Sequence, residues 1–328
     1  MPSPTNPRSA WQPDVLGEGW SARTIELPPD MFGPAVATLV RRDPAGPAMS
    51  PDAADDTAPD RTGRGAPSRR AVLHVHGFVD YFFQRHLADA FAAAGWDFYA
   101  LDLRDHGRSI RPGRDPNYTT DIALYAQELD RAVDLLRTDH DVVVVHGHST
   151  GGLVTPLWAN ERPGLVDALV LDSPWLDLKG SRFERGPLTA ILDVVGRVAP
   201  RLEVRDMQPY YGRALHVATG GEWDYDLRWK PHAGFPARAG WVRTIRAGHR
   251  RVARGLDIKA PVLVLASAAS GPDDHEHDGL LTTDVILDVR DIAARADRLG
   301  RDVTFVQIPG GAHDLVLSPS PAREQYLA

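Results

Sequence analysis

The run Val142-Val143-Val144-Val145-His146-Gly147-His148-Ser149-Thr150-Gly151-Gly152 decides how this chain folds. Four β-branched residues in succession suit a strand buried on both faces, as in a parallel sheet. They lead into Gly147-His148-Ser149-Thr150-Gly151, the pattern G-x-S-x-G. A serine so placed sits on a sharp, strained turn, with glycines where a side chain would clash. Leu153 to Asn160 then reads as a helix. Strand, tight turn and helix together form a nucleophile elbow that presents Ser149 at the end of the strand.

Strands alternate with helices on either side of this elbow. Ser21 to Leu27 and Ala35 to Arg41 read as strands around the turn signal Pro28-Pro29-Asp30. Further strands are expected at Ala71 to His76, Asp97 to Leu101, Val166 to Leu171, Val262 to Ala266 and Val303 to Ile308. Helical spacing covers Phe83 to Ala94, Asp121 to Arg137, Val285 to Leu299 and the C-terminus. This rhythm predicts an α/β class with a mostly parallel central sheet and helices on both faces.

Three segments break the pattern. Residues 1–18 are polar and Pro-rich and read as a flexible N-terminus. Residues 43–69 are dense in Pro, Ala, Asp and Gly and read as a disordered insertion. Residues 177–255 carry Tyr210, Tyr211, Trp223, Tyr225, Trp229, Phe235 and Trp241 among arginines, and read as a lid subdomain with most aromatics in its own core. The sheet domain is then 19–176 plus 256–328.

Composition narrows the function. The 328 residues are 43% hydrophobic and 25% charged, as in soluble globular proteins. A net charge of −7 gives no basic face for nucleic acid. With no cysteine, disulfides and thiolate metal sites are excluded. The N-terminal residues lack the apolar core of a secretory signal, and no run is long and apolar enough for a bilayer. A cytoplasmic address is the expectation.

A serine hydroxyl is a weak nucleophile until a base takes its proton. His313 is the candidate base, in the loop Pro309-Gly310-Gly311-Ala312-His313-Asp314 after the last strand. A carboxylate must orient it. Asp273, Asp274, Glu276, Asp278 and Asp284 all follow the Val262 strand, and Asp284 is preferred because it directly precedes the helix expected from Val285. Asp288 is the fallback. The run Asp273 to Asp278 reads as a solvated loop in preference to a metal site, because its side chains point in alternating directions. Backbone amides of Phe78 and Thr150 are the expected oxyanion donors. His76 is read as a brace for the Gly77 loop and His148 as a packing and hydrogen-bonding residue. Tyr81 and Trp175 are candidates to line the substrate pocket.

With these residues in place the chain resembles the α/β-hydrolase superfamily, in the branch holding monoacylglycerol lipases, lysophospholipases and serine aminopeptidase-like hydrolases. The resemblance rests on His76-Gly77-Phe78, Asp102-Leu103-Arg104-Asp105-His106-Gly107-Arg108-Ser109, Gly147 to Gly152 and Gly311-Ala312-His313. It covers about residues 70–176 and 256–318. Relatives usually read D-x-R-G-H-G-x-S in the second piece, so Asp105 replaces a glycine, and they often carry methionine where this chain has Thr150. The order Ser149, Asp284, His313 matches the superfamily's nucleophile, acid and base, and Asp284 to Asp288 fits its D-x-x-x-D pattern. The resemblance implies an α/β-hydrolase fold with an inserted helical lid, and ester hydrolysis through an acyl-enzyme without a cofactor. Its partner would be a small-molecule ester. The polar residues Asp224, Asp226, Arg228, Lys230 and His232 in the lid point to a polar or aromatic one. Two alternatives stand beside it: an amidase, aminopeptidase (with Glu222, Asp224 and Asp226 holding an ammonium) or carbon–carbon hydrolase on the same residues, and a non-catalytic ligand-binding protein.

Overall fold

The β-branched runs pair in register into one twisted sheet. In the computed structural model, residues 10–43, 69–179, 191–205 and 207–328 are described. The N-terminal part contains β1 (Gln12–Pro13), β2 (Trp20–Asp30), β3 (Gly33–Arg42), β4 (Arg70–Val75), α1 (Arg85–Ala93), β5 (Asp97–Asp102) and α2 (Tyr125–Arg137). The elbow joins β6 (Val142–His148) to α3 (Gly151–Glu161), followed by β7 (Ala168–Asp172). Next come α4 (191–198), β8 (Glu203–Arg205), α5 (Tyr210–Leu215), β9 (Ala237–Arg238) and α6 (Ala239–Arg254). The chain closes with β10 (Val262–Ser267), α7 (Val289–Ala296), β11 (Val303–Ile308) and α8 (Ala322–Leu327).

Among the described residues nine strands lie in the order β1-β2-β3-β5-β4-β6-β7-β10-β11. The pairs from β5 through β11 are parallel, while β1, β2 and β3 add on antiparallel. Each face of the sheet has its own core. Ala71, Leu73, Val75, Val143 and Val145 face α2, α3, α6 and α7. Val72, Phe98 and Ala100 face α1, with Tyr326 and Leu327 of α8 packed beside them. Period-2 alternation along β4 thus serves two helical layers. Because β4 and β6 are neighbours, the loop after β4 meets the turn after β6 at the C-terminal edge.

Several boundaries differ from the sequence reading. Residues 10–18 are tied down: Gln12–Pro13 pairs with β2, and Asp14 grips the Arg108 guanidinium at 2.6 and 2.8 Å. The helix expected from Val285 begins only at Val289, capped by Asp288, whose carboxylate accepts from the Arg290 amide. α6, read as part of residues 177–255, buries Trp241, Ile245 and Val252 in the main core. Of the insertion read as disordered, residues 43–69, positions 44–68 lie outside the described residues, as do 180–190 and 206 of the 177–255 segment.

Asp105 stands in the left-handed region at φ 61°, the conformation that explains a glycine there in relatives. Arg114 grips its carboxylate at 2.7 and 2.8 Å. Arg114 also binds Asp30, which reaches Arg104 at 3.2 Å, and Arg104 meets Glu128 at 2.7 Å. Arg104 and Glu128 are both buried. Cutting one partner from such a pair leaves an uncompensated charge. Arg104→Met is therefore expected to lower the unfolding free energy by about 3–5 kcal/mol. Urea unfolding measures it, and a loss below about 1 kcal/mol would contradict this account.

Candidate active site

Ser149 sits where β6 hands over to α3, at φ 53°. Few side chains adopt that conformation, and it persists only where surroundings over-determine it. Here the Ser149 amide donates to the Asp172 carbonyl at 2.9 Å, and the Trp175 amide donates to the Ser149 carbonyl at 2.9 Å. A Cβ on Gly151 would come 2.3 Å from the Val75 carbonyl oxygen, and one on Gly77 would come 2.9 Å from the Ser149 Cβ. Those two glycines let the ends of β4 and β6 touch.

His313 reaches the serine from the loop after β11, which Gly310 curls at φ 73°. Its Nδ1 lies 3.0 and 3.1 Å from the two oxygens of Asp284. A carboxylate only accepts, so Nδ1 carries the proton and Nε2 is left to accept. Nε2 lies 3.0 Å from Ser149 Oγ, within reach of the hydroxyl proton. Asp284 is wholly buried and also accepts from the amides of Ile286 and Leu287 at 3.0 and 2.7 Å. It is held by backbone pairing with Ala269 and Gly271 beyond β10, while Lys179 ties Gly271 and Val285 through their carbonyls. A strand extension, not a helix start, therefore places this carboxylate. Asp288 spends its carboxylate on its helix cap and on Arg290. In the Asp273 to Asp278 run, His275 pairs with Asp274 in solvent and His277 caps its own turn.

On the facing side, no acceptor is found among the described residues for the amides of Phe78 and Thr150. The next amide, of Val79, is already taken by Asn117 Oδ1 at 2.6 Å, and Val79 is itself strained at φ 51°. His76 accepts from the Leu103 amide through Nε2 and donates to the Gly77 carbonyl through Nδ1, and burial lowers its pKa. Both nitrogens of this neutral ring brace the loop.

Sequence reading missed a second polar cluster behind the first. Asp80, His148 and Asp314 each bring a side-chain atom within 4.8 Å of the others, and all three are buried. His148 Nδ1 lies 3.7 Å from Asp172 Oδ2, just beyond hydrogen-bond length. Lys230 closes the cluster, its Nζ 2.6 Å from Asp80 Oδ1. Burial disfavours charge on His148, yet Asp314, Asp172 and Asp80 push its pKa up to about 9. Burial raises the Asp314 carboxyl, with Asp172 and Asp80 adding to the rise. For Asp80, burial is outweighed by Lys230, His148 and His76, which hold its pKa low. The signal available beforehand was slight: an aspartate directly after His313, and a lysine in an arginine-rich chain.

Tyr81 and Trp175, the two proposed pocket residues, each make contacts of their own. Tyr81 is buried, and its hydroxyl accepts from the Asp226 amide at 2.7 Å, which anchors the segment between β7 and β10. Trp175 packs tilted against Trp241 and edge-on to His249, and Trp241 stacks on the Phe78 ring at 4.0 Å. The aromatics of residues 177–255 also pack outward. Tyr225 meets Phe83, Trp229 meets Tyr81, and Trp223 stacks on His86 and donates to the Leu317 carbonyl. They dock onto the sheet domain instead of forming a separate core.

The nine-stranded sheet, elbow and loop order define an α/β-hydrolase fold. A monoacylglycerol lipase from Paleococcus ferrophilus superposes with a TM-score of 0.60 at 22% identity, over 80% of this chain and 93% of that one. A soluble variant of Saccharomyces cerevisiae monoglyceride lipase, solved with a substrate analog, gives 0.62 at 16% identity over 92% and 91%. The Serine aminopeptidase, S33 family matches residues 66–320, so this chain belongs to that hydrolase family. A monoacylglycerol lipase of Mycolicibacterium smegmatis is 30% identical over 156 residues, 47% of this chain and 52% of that protein. The matched stretch thus spans about half the length of that curated relative.

The buried imidazole has a measurable consequence. His148 titrates near 9 when folded against an ordinary 6.5, so its protonation stabilises the fold fully below pH 6.5 and this contribution is lost as pH rises through 9. Between pH 7 and 9 the wild type should lose about 1 kcal/mol of stability per pH unit through this group. In His148→Asn that part of the slope should vanish. Urea unfolding at stepped pH reads it, and equal slopes in the two proteins would refute the assignment.

Proposed function

We propose that the protein is a serine hydrolase of carboxylic esters, of the monoacylglycerol lipase and carboxylesterase type, working without a cofactor. The observation that carries this reading is the continuous chain Asp284, His313, Ser149, with 3.0 Å on each side of the imidazole and the serine on a left-handed turn. Ser149 attacks the ester carbonyl as His313 Nε2 takes its proton. The amides of Phe78 and Thr150 hold the oxyanion, and Asp284 stabilises the imidazolium. His313 then protonates the leaving alcohol and next activates the water that frees the acid.

The segment between β7 and β10 acts as the lid, and its outer face supports an ester with an apolar acyl chain. Ile191, Val194 and Val198 of α4 are exposed at spacings of three and four residues, with Leu202 exposed just beyond the helix. This differs from the polar ester suggested by Asp224 to His232. An aminopeptidase reading finds less support, since Glu222 and Asp226 are engaged by Arg323 and Arg228.

Hydrolysis of p-nitrophenyl esters from acetate to palmitate tests the proposal. The wild type should turn over with kcat/KM rising from acetate to at least octanoate. Ser149→Ala should lose a factor on the order of 10⁴ or more, and Asp284→Asn about 10⁴. Turnover that survives in Ser149→Ala, or a preference for acetate over every longer ester, would count against the nucleophile or the acyl-chain assignment respectively.

A further inference from the structure

Each residue of the second buried cluster is a near chain neighbour of the proposed machinery. His148 precedes Ser149, Asp314 follows His313, and Asp80 lies two residues beyond Phe78. Asp172 joins them through its carbonyl, which takes the Ser149 amide. A shift in this cluster therefore moves the nucleophile, the base loop and the oxyanion loop together.

The one lysine in the cluster comes from elsewhere in the chain. Lys230 ends a turn between α5 and β9, with its amide donating to the Asp226 carbonyl at 3.0 Å. Its ammonium passes the rings of Phe83 and Tyr225 at 5.4 and 5.7 Å before it reaches Asp80. Only Lys179, Lys230 and Lys259 are lysines among 37 basic residues, so a compact ammonium here stands out in a chain that otherwise uses guanidinium. Among the described residues, the other oxygen of Asp80, the Nδ1 of His148 and both oxygens of Asp172 find no hydrogen-bond partner. Buried carboxylates need a counter-charge, and Lys230 brings it.

We propose that Lys230 is a positioning residue: its ammonium is the counter-ion of the buried Asp80–His148–Asp314 cluster and holds the oxyanion and base loops in their reactive arrangement. This rests on Ser149 being the nucleophile. Two carboxylates and an imidazole are also ligands for a divalent cation, but the ammonium on Asp80 already supplies the charge such an ion would bring. Lys230 thereby completes the site through Asp80, without itself touching substrate.

The test compares the wild type with Lys230→Met, Lys230→Arg, Lys230→Ala and Ser149→Ala on p-nitrophenyl butyrate, with circular dichroism as the folding control. Lys230→Met is expected to fold and to lose about 10- to 100-fold in kcat, with KM changed less than about threefold, as for a misplaced catalytic loop. Lys230→Arg should recover part of the loss. Lys230→Ala should regain activity in n-propylammonium chloride but not in sodium chloride of equal strength. If the single variants do not fold, the Asp80→Asn/Lys230→Met pair removes both charges, and it should fold and remain slow. Wild-type kcat in folded Lys230→Met or in the double variant overturns the proposal while leaving Ser149 in place. So does one equivalent of divalent metal in the purified enzyme whose removal abolishes activity. Turnover surviving in Ser149→Ala overturns both assignments.

Discussion

The structure depends on one steric constraint: β4 and β6 end in contact, so closely that neither Gly77 nor Gly151 can carry a side chain. That contact sets the loop after β4 beside the turn after β6. It leaves Ser149 little room except the left-handed conformation it adopts. The strain is held by main-chain bonds to Asp172 and Trp175 on the neighbouring strand and its loop. Everything else at the site arrives at this fixed point, His313 from one loop and Asp284 from another.

The central strands were legible because burial on both faces leaves a strong mark. Val142 to Val145 can hardly be anything but a central strand, and β10 and β11 matched their expected runs within a residue. The loop that carries His313 was legible for a similar reason, since Gly310-Gly311 after a strand marks a loop that must turn sharply. Local rules failed where long-range contacts decide. The helix expected directly after Asp284 starts at Val289, five positions on; what places Asp284 is pairing with residues 269–271. The N-terminal residues looked unanchored because their partner, Arg108, is about ninety positions away. Tyr81, near the oxyanion loop, and Trp175, just after the Val166 strand, are placed by sequence close to the site. Which way each ring faces is set by partners distant in the chain, Asp226 for Tyr81 and Trp241 and His249 for Trp175.

The buried cluster escaped sequence reading altogether. Asp80, His148, Asp172, Lys230 and Asp314 share no spacing, and only Lys230 stands out alone. Only the fold makes them a unit, with a charge balance that no single segment contains. The docked aromatics tell the same story. Trp223, Tyr225 and Trp229 have the composition of a self-contained core, yet their partners are Phe83, Tyr81 and His86 of the sheet domain. The segment between β7 and β10 is thus fastened to the site by rings and by one ammonium.

The scarcity of lysine has a practical side. Lys179 spends its amine on two carbonyls beside Asp284, and Lys230 is enclosed against Asp80. Lys259 pairs with Asp257 in solvent, its side chain 55% exposed. Of the side-chain amines, it alone is open to an acylating reagent. Coupling chemistry that attaches proteins through lysine would therefore fasten this one at the loop before β10, beyond the opposite end of that strand from Asp284.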